Sequence, residues 1–246
     1  MTGPGRWLAA AMALPGLVLA GCTSEGRDGA PAGAAATAAT SNPTGDAAGP
    51  TSPSPTSSAP ATTPSATREP HPASDGRPRR AELSIPALDI ADLTVVPYRG
   101  RTDDAPGTRI QDRGLAASPH GPRGGVGPGG IGNYQVTAHR LSSTQAFLDL
   151  PALRHGQRVV VRAGGTEFVY RVVETRETSF RSPASLRRQR AAVPGRPGAT
   201  PTRAMITLST CATPEDRAAG NYWSDEFGNP EHRIDKIGVL VRRRAV

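Results

Sequence analysis

The sequence predicts an all-β domain, a barrel or a sandwich, and three observations carry that prediction. Between residues 81 and 246, short segments rich in Val, Ile, Thr and Tyr recur at regular spacing, each bounded by Gly, Pro or Asp clusters. Helical periodicity is scarce over the same range. Ahead of it the chain is so poor in large apolar side chains that core-forming residues fall into one stretch of single-domain size.

In chain order the predicted strands are "AELSIPAL", "LTVVPY", "GNYQVTAH", "QRVVVRA", "TEFVYRVVET", "AMITLST" and "KIGVLVRR". Two segments read as single short helices: "STQAFLDLPALR", through Phe147, Leu150 and Leu153, and "SPASLRRQRAA". The stretch "HGPRGGVGPGGIGN" lacks the lysine and the strand-to-helix context of a phosphate-binding loop and reads as plain loop. The Arg242-Arg243-Arg244 end reads as a solvated tail.

The first 21 residues hold one arginine, Arg6, then an apolar run from Trp7 to Ala20 broken by Pro15. That run is shorter than the roughly 20 apolar residues a membrane-spanning helix needs, and an export signal with a small-residue cleavage site is expected. Leu19-Ala20-Gly21-Cys22 resembles the lipobox of bacterial lipoproteins, which implies Cys22 as the lipidated first residue of the mature protein. From Cys22 to residue 80 the composition collapses onto Ala, Pro, Ser, Thr and Gly, too apolar-poor to offset the entropy of folding. A disordered tether is expected, reaching on the order of 100 Å at about 3 Å per residue.

The formal charge is +8 and the basic residues are almost all arginine, Lys236 being the sole lysine. Such a balance suits nucleic acid, but an exported chain is not expected to meet it; anionic wall polymers or lipids are the nearer partners.

The chemistry centres on Cys211, in "ITLSTCAT". A disulfide would need Cys22, which lipidation removes. A zinc site would need ligands at short spacings, and neither cysteine nor His71, His120, His139, His155 or His232 shows them. A buried, inert thiol and a nucleophile both stay open. Strand alternation puts Thr207, Ser209 and Cys211 on the more polar face, with Cys211 at the strand end. A nucleophile there needs a base or cation to favour thiolate and a donor for the developing oxyanion. His139 ends the strand "NYQVTAH", and Arg233 opens the strand "RIDKIGVLV" with a planar fork of donors.

At these residues the sequence resembles the sortases, cysteine transpeptidases that join secreted proteins to the bacterial cell wall. Thr207-Leu208-Ser209-Thr210-Cys211 fits their TLxTC signature; "LSIPALDI", "GNYQVTAHR", "FLDLPALRHGQRVVV" and "RIDKIGVLV" are similar to family segments in the family's order, over residues 81–246. The resemblance implies a closed eight-stranded β-barrel with short helices and a long loop before the last strand. It implies Cys211 as nucleophile, His139 as general acid or base, Arg233 as the group holding substrate and oxyanion, and Thr210 as a substrate contact. It further implies cleavage of a C-terminal LPxTG-type signal, LAxTG if class E, through a thioacyl enzyme, and transfer to an amine of a peptidoglycan precursor. The implied partners are secreted proteins with sorting signals, that wall amine, and the membrane through the lipid anchor; no cofactor or metal is implied.

Departures from the family pattern are Ala138 in place of a common glycine, a lipobox in place of a membrane helix, and the length of "ATPEDRAAGNYWSDEFGNPEH". That length makes Arg217 a rival to Arg233, disfavoured because it falls amid loop residues, and leaves Tyr222, Trp223 and Phe227 either shaping substrate choice or packing the loop onto the barrel. His71 falls in the tether, His120 in the Gly/Pro loop and His155 in a turn; His232, beside Arg233, competes with His139. Two other functions remain: an L,D-transpeptidase, whose Ser-x-Gly-Cys motif is absent, and an inactive sortase-fold lipoprotein acting as a wall-binding or scaffolding module.

Overall fold

A computed structural model describes residues 74–246; Cys22 with its lipobox, the tether up to residue 73 and His71 lie outside the described residues. Eight strands close into one barrel: β1 (Ala81–Ile85), β2 (Ile90–Arg99), β3 (Ala116–His120), β4 (Gly132–Thr137), β5 (Arg158–Ala163), β6 (Thr166–Ser179), β7 (Ala204–Cys211) and β8 (His232–Ala245). Around the barrel they run β1-β2-β3-β4-β7-β8-β6-β5, with β2·β3 and β4·β7 parallel and the other pairs antiparallel. The parallel pairs need crossovers. The short helix α1 (Ala105–Gln111) makes the first, and β5, β6 and α2 (Pro183–Arg190) make the second.

Period-two alternation sorts the side chains. Tyr134, Val136, Ile206 and Leu208 point inward with Leu83 and Val161 and are almost fully buried. Burial of each such aliphatic side chain stabilises the fold by about 1.5–3 kcal/mol. Asn133, Gln135, Thr207 and Ser209 alternate with them on the outer face, yet they are also buried, because α2 lies over that face. The cover is polar and paired. Gln189 of α2 donates to Ser209 Oγ (3.2 Å) and Asp235 Oδ1 (3.0 Å), while Thr178 donates to Asp235 Oδ2 (2.6 Å). Burial raises the Asp235 carboxyl above the usual range against those donors.

All seven predicted strands are present. The unpredicted one is β3, "AASPH", whose Ala, Ser and Pro carry no strand signal. It forms because β2 offers a five-residue parallel ladder on one side, and Pro119 is tolerated because the contact with β4 on the other is a single pair, Ala117↔Thr137. The helix expected over "STQAFLDLPALR" is absent. Only a 3-10 turn at Leu150–Ala152 forms, with Pro151 inside it, although Phe147, Leu150 and Leu153 are fully buried as their spacing implied. The helix over "SPASLRRQRAA" is α2, capped by Ser182, whose side chain accepts from Ser185 N.

The basic end is not a solvated tail. Arg242 to Arg244 continue β8 against β6, and the buried Glu167 accepts from Arg244 Nε (2.7 Å) and Nη2 (2.9 Å). The residues just before β1 are also held, with Gly127 N donating to Gly76 O (2.7 Å) and Ser74 Oγ to Pro128 O (2.6 Å). The β3–β4 loop that receives them needs its glycines: Gly129 has φ 71°, a Cβ there would collide with Phe168, and its N–H donates to Tyr170 Oη (2.8 Å).

Candidate active site

Three strand ends meet at Cys211. In the β7·β8 ladder Cys211 is the direct Cα partner of Arg233. In the parallel β4·β7 ladder Thr137 pairs with Ser209, and two residues further along each chain stand His139 and Cys211. The continuation is pinned twice: Ala138 N donates to Ser209 O (3.3 Å) and Thr210 Oγ1 donates to Ala138 O (2.8 Å). Neighbouring strands lie about 4.8 Å apart, so the imidazole-bearing chain and the arginine-bearing chain flank the cysteine on either side.

Cys211 is a free thiol, partly exposed. Burial pushes it above the ordinary thiol range; Arg233 and Arg140 pull it down, while Asp103 and Asp225 push further up. Arg233 is 1% exposed. Its guanidinium lies 4.1 Å from the centroid of the Phe180 ring, Nη1 donates to Pro230 O (3.0 Å), and Nε is 3.4 Å from Asp103 Oδ1. Burial disfavours its charge, but Asp103 and Cys211 outweigh that and hold it firmly protonated. Nε and Nη2 of Arg233, and Oδ2 of Asp103, have no hydrogen-bond partner among the described residues. Buried donors without partners cost about 1–3 kcal/mol, and these belong to the residue paired with Cys211 across the ladder.

His139 is largely shielded, and its Nε2 is 2.9 Å from Asp112 Oδ1 at the end of α1. Its rival His232 is committed elsewhere: Nδ1 is 2.6 Å from Asp216 Oδ1, and its N–H donates to Asp216 Oδ2 (3.0 Å). Burial lowers the His232 pKa, but Asp216, Glu177 and Glu231 raise it by more. Thr210 has a different placement from the expected substrate contact. It is 2% exposed, and its hydroxyl ties β7 to β4 through Ala138 O. Arg217 is not in a loop but on the helix α3 (Thr213–Ala218), where it is exposed and makes no ion pair among the described residues. His155 is exposed in its turn, whereas His120 ends β3 and is half-buried rather than loop-borne.

The loop aromatics divide. Trp223 is half-buried with the Arg181 guanidinium 5.8 Å from its ring, whereas Tyr222 (77%) and Phe227 (53%) are exposed and do not pack onto the barrel.

Several site residues escaped the sequence reading. Asp103 and Asp112 bracket α1, whose start was signalled by Asp104 followed by Pro106; Asp104 caps the helix by accepting from Gly107 N (3.1 Å). Arg140, next to His139, donates to the Cys211 carbonyl (3.3 Å) and pairs with Glu215 of α3 (Nη2–Oε1 2.9 Å). It thereby holds the Cys211 backbone. Thr213-Pro214-Glu215 signalled α3 in the same way. Among the described residues no group of three or more His, Cys, Asp or Glu could hold a metal ion, and no helix is long and apolar enough to cross a membrane.

In fold the barrel is similar to solved sortases. SrtA sortase from Actinomyces oris aligns at 20% identity over 69% of this chain and 84% of that one, with a TM-score of 0.51. Sortase E1 from Streptomyces coelicolor, solved with a tripeptide in its active site, aligns at 22% identity over 69% and 91%, also at 0.51. No curated protein matches the chain. The likeness to the solved structures speaks for a sortase-type barrel. The Sortase domain family model matches residues 83–223, more than half of the chain, and the chain belongs to the sortase family, whose members are cell-envelope transpeptidases. The match takes in His139, Thr210 and Cys211 and ends before Arg233.

Proposed function

We propose that the protein cleaves a C-terminal sorting signal and transfers the acyl part, the protein ending in the signal's threonine, to a cell-wall amine, with Cys211 as nucleophile. The observation that carries this is the pairing of Cys211 with Arg233 across β7·β8, with Nη2 of the guanidinium left without a hydrogen-bond partner and Nε facing only Asp103. The Cys211 thiolate attacks the carbonyl carbon of the signal's threonine, and the oxyanion that forms takes the donors of Arg233. The intermediate collapses with breakage of the Thr–Gly C–N bond, and the leaving amine takes a proton from His139. The thioacyl enzyme then meets an incoming amine. Its nitrogen attacks the same carbon, His139 accepts its proton, and the sulfur leaves.

In the resting arrangement Asp103 faces the guanidinium, so substrate entry requires that carboxylate to yield the arginine's free donors. Asp112 holds the His139 ring as an orienting partner. The exposed Tyr222 and Phe227, on the loop that follows the nucleophile, are available to contact the bound peptide. The signal is of the LAxTG or LPxTG type; SrtA from A. oris and sortase E1 from S. coelicolor align equally in fold, at a TM-score of 0.51, and do not separate the two. Cys22, outside the described residues, is proposed as the lipid attachment point, with the segment after it as a spacer from the membrane. Its lipid would make the membrane a standing partner. Cleavage of fluorogenic LAxTG and LPxTG peptides tests the assignment: wild type cleaves at least one, Cys211→Ala cleaves neither, and equal cleavage by the two proteins would refute it.

A further inference from the structure

Away from the thiol, the β2–α1 loop, the β3–β4 loop and α2 enclose two neighbouring cavities. One, of about 470 Å³, is walled by Arg101, Arg123, Arg187 and Arg190, with Leu186 at its side. The other, of about 230 Å³, is walled by Arg99, His120 and Arg123, and Pro122 and Arg123 are common to both. No carboxylate lines either cavity. None of the five arginines forms an ion pair among the described residues, whereas Arg140, Arg176, Arg233 and Arg244 do.

The nearby acids are occupied elsewhere. Asp103 faces Arg233, and Asp104 caps α1 while accepting from Arg101 N (3.0 Å). Arg190 is fixed by Thr102, which accepts at Oγ1 from Nε (2.9 Å) and at its carbonyl from Nη2 (3.1 Å), leaving Nη1 without a partner among the described residues. Burial lowers its pKa, Asp103, Tyr98 and Asp104 act against that, and Arg101 adds to it.

We propose that this double cavity is a binding site for an oligophosphate, two linked or successive phosphate groups. A single carboxylate would balance one of five fixed positive charges, whereas adjacent phosphates spread several charges over the distance between the two cavities. Planar guanidinium forks match phosphate oxygens in pairs. The first cavity is within the size range of small-ligand sites, and the second adjoins it at Pro122 and Arg123. Two sources carry this chemistry, the diphosphate of a lipid-linked glycan precursor and the phosphodiesters of an anionic wall polymer. The site goes beyond the thiol chemistry proposed above and does not depend on it.

Calorimetric titration of the full chain with inorganic pyrophosphate tests the site. Saturable binding is expected, weakened about tenfold or more in Arg101→Ala and in Arg187→Ala, the effect of losing one charge-assisted contact. Both residues are exposed, so neither change disturbs the core. Affinity stays unchanged in Arg154→Ala, an exposed arginine in the turn before β5, and in Cys211→Ala, which separates the site from peptide cleavage. Titrations with a prenyl diphosphate and with a glycerol phosphate oligomer distinguish the sources by which binds more tightly than pyrophosphate. Absence of saturable binding at millimolar pyrophosphate, equal affinity for sulfate, or unchanged affinity in both cavity variants would overturn the proposal.

Discussion

Cys211 and Arg233 face one another as direct partners across β7·β8, the last residue of one strand against the second residue of the next. The geometry favours Arg233 over Arg217 for the proposed role. The Arg233 guanidinium is held by the Pro230 carbonyl and the Phe180 ring, whereas Arg217 on α3 is exposed and makes no ion pair among the described residues. Arg233→Lys keeps the charge but loses the fork and the ring contact. Peptide cleavage is expected to fall by about 10²–10³-fold in kcat, the usual loss for an oxyanion donor, with Arg217→Ala near wild type. Steady-state kinetics of the two variants checks this.

Asp103 stands on the same guanidinium and also opposes thiolate formation. Asp103→Asn removes a negative charge beside the sulfur. The thiolate is then less disfavoured, so the pH midpoint of Cys211 alkylation by iodoacetamide shifts downward relative to wild type. An upward or null shift would show that the carboxylate does not act on the sulfur.

His139 depends on Asp112 for its orientation, and the bond spans from β4's end to α1. His139→Ala is expected to lose about 10²–10⁴-fold in kcat/KM, the range for a positioned acid or base. Asp112→Asn is expected to lose less in the same assay. His232→Gln is expected to leave kcat/KM near wild type while lowering stability, since its partner Asp216 lies on α3.

Glu167 is buried against Arg244 and Arg162, and the Arg244 bond, with the flanking charges, holds its carboxyl below the ordinary value near 4.5 despite burial. Its folded pKa is lowered, so the stability it contributes is present above the ordinary glutamate range and lost as pH falls through the folded value. Glu167→Gln is expected to cost about 1 kcal/mol at neutral pH, since the arginines are half-exposed and screened. That corresponds to roughly 2–4 °C in Tm. The difference from wild type should shrink in thermal melts as pH falls below the ordinary glutamate value and through the lowered folded one.

The strands were legible because Val, Ile and Tyr alternate in them, and Cys211, His139 and Arg233 were singled out by strand-end positions together with the resemblance to the sortase signature. β3 was not, because its stability comes from the ladder with β2 and not from its own side chains. The segment around Leu150 carried the apolar spacing of a helix, but Pro151 and the demand of the barrel mouth for Phe147 and Leu153 outweighed it. Asp103, Asp112 and Arg140 were hidden because their partners lie 27 to 130 residues away in sequence, at distances only the closed barrel brings together.

The most direct test is mass spectrometry of the intact protein after incubation with an LAxTG or LPxTG peptide in the absence of an accepting amine. An acyl mass added at Cys211, removed by hydroxylamine and absent from Cys211→Ala, is the expected result. An unmodified Cys211 with either peptide under conditions where the thiol alkylates readily would contradict the account.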